Sequence, residues 1–193
     1  MAYLTENELQ ALGLKGFGSD VQISDKASIY FPENLEIGNH VRIDDFCVIS
    51  AKGRVCIGDY VHIGAFSAIY GGAGVELGNY SGMSSRCTIY SESDDFSGES
   101  LIHPFFPNEF KPGYIRGKVM LESYAQLGAG CTVLPNCNLR IGAVVGAHSL
   151  VLDDMKEWSI NAGIPARFFK SRTRGVLKLM EQYQSEVKRD DAL

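Results

Sequence analysis

The chain has 193 residues and a formal net charge of −5, long enough for one domain with a real core. The acidic balance excludes a general polyanion binder, whose affinity rests on Lys and Arg neutralising phosphates, so no nucleic-acid partner is expected. No apolar run approaches the roughly 20 residues of a membrane span, and the opening MAYLTENELQ lacks the basic and apolar regions of a signal peptide.

In chain order, the first predicted element is a short helix over residues 4–12. Thr5 is its N-cap and Glu8, three residues on, completes a capping box. Gly13, Gly16 and Gly18 break it. From Val21 to about Val151 an aliphatic residue returns at every sixth position. The hits are Ile37, Ile43, Ile49; then Ile57, Ile63, Ile69; then Leu77, Met83, Ile89, each triplet starting 20 residues after the last. Leu121, Leu127, Val133, Leu139, Val145 and Val151 continue the beat without a slip. Neither a helix nor a simple strand produces that period. It is the mark of a hexapeptide repeat, and the fold class it predicts is an all-β solenoid, a parallel β-helix.

Three hexapeptides make one coil of about 18 residues, with the aliphatic side chains stacked inward. The 20-residue spacing predicts two extra residues per early coil, as bulges near Gly53 and Gly74. The small residue after the aliphatic one (Gly38, Gly58, Gly64, Gly78, Gly128, Gly146) is expected to serve a tight corner, through positive φ or close backbone packing. The five cysteines, Cys47, Cys56, Cys87, Cys131 and Cys137, are odd in number and form no CxxC pair. They read as free thiols in a reducing cytoplasm, not as a disulfide framework or a zinc site.

The beat fails once, between Tyr90 and Val119. This stretch, rich in Pro, Gly and aromatics, reads as a functional loop inserted over 91–118 without regular structure of its own. Residues 173–188 space Val176, Leu177, Leu179, Met180 and Tyr183 along one helical face, and the final RDDAL is expected to fray. The expected organisation is an N-terminal helical cap (1–20), a β-helix (21–160), and a C-terminal tail and helix (161–193). The two terminal helices would cover the open ends of the solenoid.

The run GKVMLESYAQLGAGCTVLPNCNLRIGAVVGAHSLVLDD, with NAGIPARFFKSR after it, resembles the hexapeptide-repeat acyltransferases. The likeness spans roughly residues 20 to 172. Within that class it is similar to the galactoside and maltose O-acetyltransferases and to polysaccharide-biosynthesis acetyltransferases. The segment YSESDDFSGES is similar to a subgroup found in surface-polysaccharide gene clusters. The resemblance implies a left-handed coil, a homotrimer with active sites between subunits, and acetyl-CoA as donor. Ala129, after Gly128, and Ala147, after Gly146, match positions lining the pantetheine arm. Arg167 and Lys170 match basic positions near the coenzyme phosphates, where a cation suits the charge. The chain departs from the family at Val151, Leu152, Asp153 and Asp154, where relatives usually read Val-Thr-Lys-Asp.

Acetyl transfer from a thioester needs a proton acceptor, a donor for the oxyanion, and alignment of the two substrates. Histidine suits the first task. His62 precedes the inward Ile63, so it points outward, in line with Arg42 and Gly82 on neighbouring coils. The resemblance makes it a substrate contact, beside a catalytic Asn position that Gly64 occupies here. The family's loop histidine falls on Asp94, with Asp95 beside it. His62 and Asp94 are therefore the candidate catalytic residues, Asp94 either orienting His62 or accepting the proton itself. Asp95 and His103 are candidate acceptor contacts. The competing structural readings are an interface histidine at 62, a loop cap at 94–95, and a His103 packed on Phe105 and Phe106. His148 lies beside the pantetheine positions, and His40, Tyr60 and Tyr80 read as a structural stack.

The leading expectation is an acetyl-CoA-dependent O-acetyltransferase acting on a sugar hydroxyl in surface-polysaccharide (O-antigen or capsule) biosynthesis. The alternative is N-acetylation of a nucleotide-linked amino sugar, whose amine is nucleophilic enough to tolerate the missing loop histidine. A non-catalytic scaffold is the third reading. The four histidines lack the convergent spacing of a zinc site, so no metal is expected.

Overall fold

A two-residue strand has no stability of its own; it persists only by stacking on its equivalents. In the computed structural model, which describes residues 2–190 with side chains to 186, each hexapeptide is such a strand followed by a corner. The strands form three parallel faces. The first face carries Gly16–Phe17, Leu35–Ile37, Val55–Ile57, Val75–Leu77, Val119–Leu121 and Asn138–Leu139. The second carries Gln22–Ile23, Arg42–Ile43, His62–Ile63, Gly82–Met83, Gln126–Leu127 and Val144–Val145. The third carries Ser28–Tyr30, Val48–Ser50, Ala68–Tyr70, Thr88–Tyr90, Thr132–Val133 and Leu150–Val151. The result is a left-handed parallel β-helix of about 7 turns.

The six-residue beat is the core. Ile43, Ile63, Met83, Leu127 and Val145 lie in register on the second face and are buried. A second buried column sits two residues earlier in each hexapeptide: Val41, Val61, Ala125 and Ala143 at one corner, Cys47, Cys87 and Cys131 at the next. There the cysteines act as small apolar fillers with a weak donor. The Cys87 thiol donates to Gly128 O at 3.1 Å and that of Cys131 to Gly146 O at 3.0 Å.

The corners separate the two roles that sequence left joined. Positive φ falls not on the glycines but two residues later, on His40, Tyr60 and Tyr80 (55, 56 and 61°) and on Phe46, Phe66 and Arg86. Left-handed backbone at a non-glycine costs about 1–2 kcal/mol. Stacking of the same side chains offsets it: the Tyr60 and Tyr80 rings lie 5.3 Å apart, and Tyr80 and Tyr124 5.1 Å. The glycines are needed for closeness. A Cβ on Gly128 would sit 2.6 Å from Ala147 N, whereas one on Gly146 would meet nothing nearer than the Ala162 Cβ at 3.3 Å. Gly128→Ala is therefore expected to lower stability by about 1–3 kcal/mol in urea melts, and Gly146→Ala by clearly less.

The inserted loop has a stem that the sequence pattern did not reveal. Glu92–Ser93 pairs antiparallel with Ile115–Arg116, and Asn108–Phe110 forms a single 3₁₀ turn. Strands of two residues are too short to leave a periodic signal.

At the N-terminus, α1 (Glu6–Ala11) starts with the expected capping box, Thr5 N donating to Glu8 Oε2 at 2.8 Å, and buries Leu9. At the other end the tail departs from expectation. Ser159–Gly163 joins the second face and Ala166–Ser171 folds back on it as an antiparallel hairpin, burying Ala166. The final helix, α2 (Gly175–Asp190), does not cover the open end. It returns along the aromatic corner, Tyr183 Oη lying 3.5 Å from Tyr60 Oη. The fraying expected for RDDAL concerns residues whose side chains, or whole placement, lie outside the described set.

Candidate active site

The second face is polar at its middle. His62 projects outward from its strand, and one coil earlier Asp44 follows the inward Ile43. The His62 Nε2 lies 2.9 Å from Asp44 Oδ2, while Arg42 Nε donates to Asp44 Oδ1 at 2.8 Å. Asp44 is buried. Burial alone would raise its pKa, but hydrogen bonds from His62 and Arg42 outweigh it and hold the carboxyl below the usual range. An ionised Asp44 only accepts, so His62 donates to it from Nε2. The carboxylate partner of His62 within one chain is thus Asp44, not the expected Asp94.

Gly82, level with His62, leaves a gap in this face. A cavity of about 390 Å³ opens there, lined by Tyr60, His62, Tyr80, Gly82, Ser84 and Gln126, with Gly64 at its edge. Ser84 is exposed. The position following the inward aliphatic is Asp44, Gly64, Ser84 and Gly128 on successive coils. Sequence reasoning missed Asp44 and Ser84, although with Ser24 they are the polar residues of a column that carries Gly64, Gly128 and Gly146 on its other coils.

From this cavity a row of small exposed or half-exposed residues runs along the corner toward the C-terminal end: Ala65, Ser85, Ala129 and Ala147. Backbone bonds tie its rungs, Gly130 N donating to Ser85 O at 3.0 Å and His148 N to Ala129 O at 2.8 Å. Arg167 and Lys170 stand on the terminal hairpin. Arg167 donates to Asp153 Oδ2 at 3.2 Å, and Lys170 Nζ lies 5.7 Å from the centre of the Phe169 ring.

Asp94 lies elsewhere. It follows the third-face strand Thr88–Tyr90, past the loop stem, and lines a cavity of about 490 Å³ with Glu92, Lys111, Tyr114 and Arg116. Arg116 Nε is 2.7 Å from Glu92 Oε1. Burial, then the nearby Glu92, raises the Tyr114 pKa. Asp95 caps the loop: it accepts from Ser97 N and Ser97 Oγ, both at 2.8 Å, and the Ser97 backbone bond leads the lowering of its pKa. His103 Nδ1 accepts from Phe105 N at 3.2 Å, with the Phe105 ring centre 5.2 Å away. One chain thus separates His62 and Ser84 from Asp94. Among the described residues no group of three His, Cys, Asp or Glu is arranged to hold a metal ion.

Removing Asp44 would leave Arg42 and His62 without their shared carboxylate. Asp44→Ala is expected to cost about 1–3 kcal/mol of stability at neutral pH. Because the folded-state pKa is depressed, the contribution is present above the unfolded value of about 3.9 and is lost as pH falls through the lower folded value. Urea midpoints of variant and wild type should differ at pH 7 and converge in acid.

Short parallel rungs on three faces, a small-residue row along one corner and a polar gap beside it define a hexapeptide-repeat protein. No family model matches the chain. It is 40% identical over 180 residues to the dTDP-4-amino-4,6-dideoxy-D-glucose acyltransferase of Escherichia coli, covering 93% of each chain. It is also 40% identical to AntD, an N-acyltransferase from Bacillus cereus whose structure with dTDP-4-amino-4,6-dideoxyglucose and coenzyme A superposes with a TM-score of 0.92. That match covers 95% of this chain and 97% of AntD. The hexapeptide-repeat acetyltransferase VCA0836 of Vibrio cholerae, 19% identical with a TM-score of 0.57 over 88% of this chain and 82% of its own, shares the fold. The chain belongs to the hexapeptide-repeat sugar acyltransferases and is an acyltransferase.

These relatives overturn the leading expectation from sequence. The protein from E. coli and AntD are named for an amino sugar and for N-acylation, not for transfer to a sugar hydroxyl in polysaccharide assembly. The missing loop histidine, which sequence analysis linked to the amine alternative, pointed the same way.

Proposed function

We propose that this chain transfers an acyl group from acyl-CoA to the amine of a nucleotide-linked amino sugar, of the dTDP-4-amino-4,6-dideoxyglucose class. The observation that carries the reading is near-full-length identity of 40% to two proteins of that description. A second observation supports it. AntD has been crystallised with substitutions of a serine numbered 84 and an aspartate numbered 94 in that protein. This chain carries Ser84 and Asp94 at the same ordinal positions, each lining a cavity.

In this reading the amine attacks the thioester carbonyl. The C–N bond forms, the C–S bond breaks, and the proton shed by nitrogen balances the departing thiolate, which leaves as coenzyme A thiol. Asp94 holds the amine, and the Ser84 hydroxyl donates toward the developing oxyanion. The Asp44-held His62 faces the same gap. The row from Ala65 to Ala147 takes the pantetheine arm, and Arg167 and Lys170 lie toward the coenzyme phosphates. Five free thiols and a coenzyme A donor support a reducing, cytoplasmic setting.

A homotrimer would unite the separated parts. The outer side of the third face carries Val48, Ala68 and Leu150 between two exposed aromatic stacks, Phe46 on Phe66 and Tyr70 on Tyr90, each with ring centres 5.1 Å apart. An apolar patch of this kind favours burial against another copy, which would carry Asp94 of one subunit toward Ser84 of the next.

Thiol release, followed with an acyl-CoA and dTDP-4-amino-4,6-dideoxyglucose, should be rapid and yield an amide by mass spectrometry. The 4-hydroxy analogue should be turned over at least a hundredfold more slowly. Equal turnover of the two would overturn the reading.

A further inference from the structure

We propose that Lys111 and Lys52 bind the diphosphate of the acceptor nucleotide, in the cavity that also holds Asp94. The inference rests on the amino-sugar reading above and adds the subsite that recognises its activated end.

The cavity is set apart by cations that lack a carboxylate partner. Its lining has three cations, Lys52, Lys111 and Arg116, against two carboxylates, Glu92 and Asp94, a local surplus of one positive charge in a chain of net charge −5. Arg116 is already neutralised by Glu92 at 2.7 Å. Neither Lys52 nor Lys111 has a carboxylate within 4.0 Å among the described residues, whereas the nearby Lys15, Arg54 and Lys118 are each paired with a glutamate. Lys111 is half-buried, its Nζ lying 5.6 Å from the centre of the Tyr114 ring. A partly desolvated ammonium without an anion is unfavourable unless a ligand supplies one.

The proposed acceptor matches that pattern. It is a zwitterion, with an ammonium on the sugar and two phosphates joined to it. The ammonium suits Asp94, and the phosphates suit two lysines in the same cavity as point-charge partners. Coenzyme A also carries a diphosphate, so the two sources must be separated by experiment.

The test is calorimetric titration of the full chain with dTDP, with dTMP and, separately, with coenzyme A. Lys111→Met and Lys52→Met should each raise the Kd for dTDP roughly tenfold or more. Affinity for dTMP should fall less, and coenzyme A binding should not change, which also reports that the variants are folded. Lys111→Arg should keep dTDP binding within a few-fold of wild type. If the methionine variants lose coenzyme A and keep dTDP, the cavity serves the donor and the inference falls. If they bind dTDP like wild type while wild type still acylates the amino sugar, the inference falls and the acceptor reading stands. If wild type binds no dTDP and turns over no amino sugar, both fall.

Discussion

Asp94→Asn should lower kcat/KM for the amino-sugar acceptor at least a hundredfold without changing the urea midpoint. The substitution keeps the size of the side chain and removes its charge and one acceptor. A positioned carboxylate that takes a proton, or holds an ammonium until it is shed, typically contributes between about a hundred and ten thousand in rate. The deficit should narrow as pH rises, because free amine then becomes abundant without help. Neighbouring Asp95 supplies the control. Its oxygens are engaged by Ser97 N and Oγ at 2.8 Å, so Asp95→Asn should change kcat/KM by less than about threefold. Steady-state kinetics of both variants across pH 6 to about 9 would decide it. A loss below tenfold in Asp94→Asn would remove the carboxylate from the reaction.

How far the sequence could be read depends on the length scale of each signal. The six-residue beat reported the core directly, because every inward Ile, Leu, Met and Val stacks on the same position one coil away. The bulges near Gly53 and Gly74 were also visible, since they shift the beat by two; Gly53 N donates to Gly71 O at 3.0 Å, and so does Gly74 N. The glycine column was seen but its cause was left open, since positive φ and close approach select the same residue. Only the backbone separates them, giving φ to the aromatic corner and closeness to the glycine.

The candidate-site elements were harder because they lie across coils. His62 was found from its outward place on a strand. Its partner Asp44, 18 residues earlier, has no motif, because a coil brings together residues separated by a full turn. Ser84 was hidden for a related reason: a serine in a small-residue column looks like structure. Asp94 was found only through resemblance, at the place where the family carries a histidine. The O-acetyl reading followed from that same family pattern. The amine reading followed from the chemistry of the departure, and the relatives favour it.

The arrangement of Ser84 and Asp94 makes a sharper prediction than either substitution alone. They line separate cavities on different faces of one chain, yet the proposed reaction needs both within reach of one amine and one thioester. A cyclic homotrimer meets that need if each site takes Asp94 from one subunit and Ser84 from its neighbour. Ser84→Ala and Asp94→Asn chains should each form nearly inactive trimers. Mixed at equal concentration, unfolded and refolded together, they should assemble at random. About one quarter of the sites would then pair an intact Asp94 with an intact Ser84, and roughly that fraction of wild-type kcat should return. Tagging the two chains differently and isolating the mixed trimers should raise the recovered activity further, to about one third, since every mixed trimer holds one intact site in three. Phe66→Asp, which buries a charge in the proposed interface, should dissociate the trimer and abolish turnover by all chains, as read by light scattering beside the thiol assay. If the mixed trimers stay inactive, Ser84 and Asp94 must act within one subunit, and the loop would have to close over the second face of its own chain.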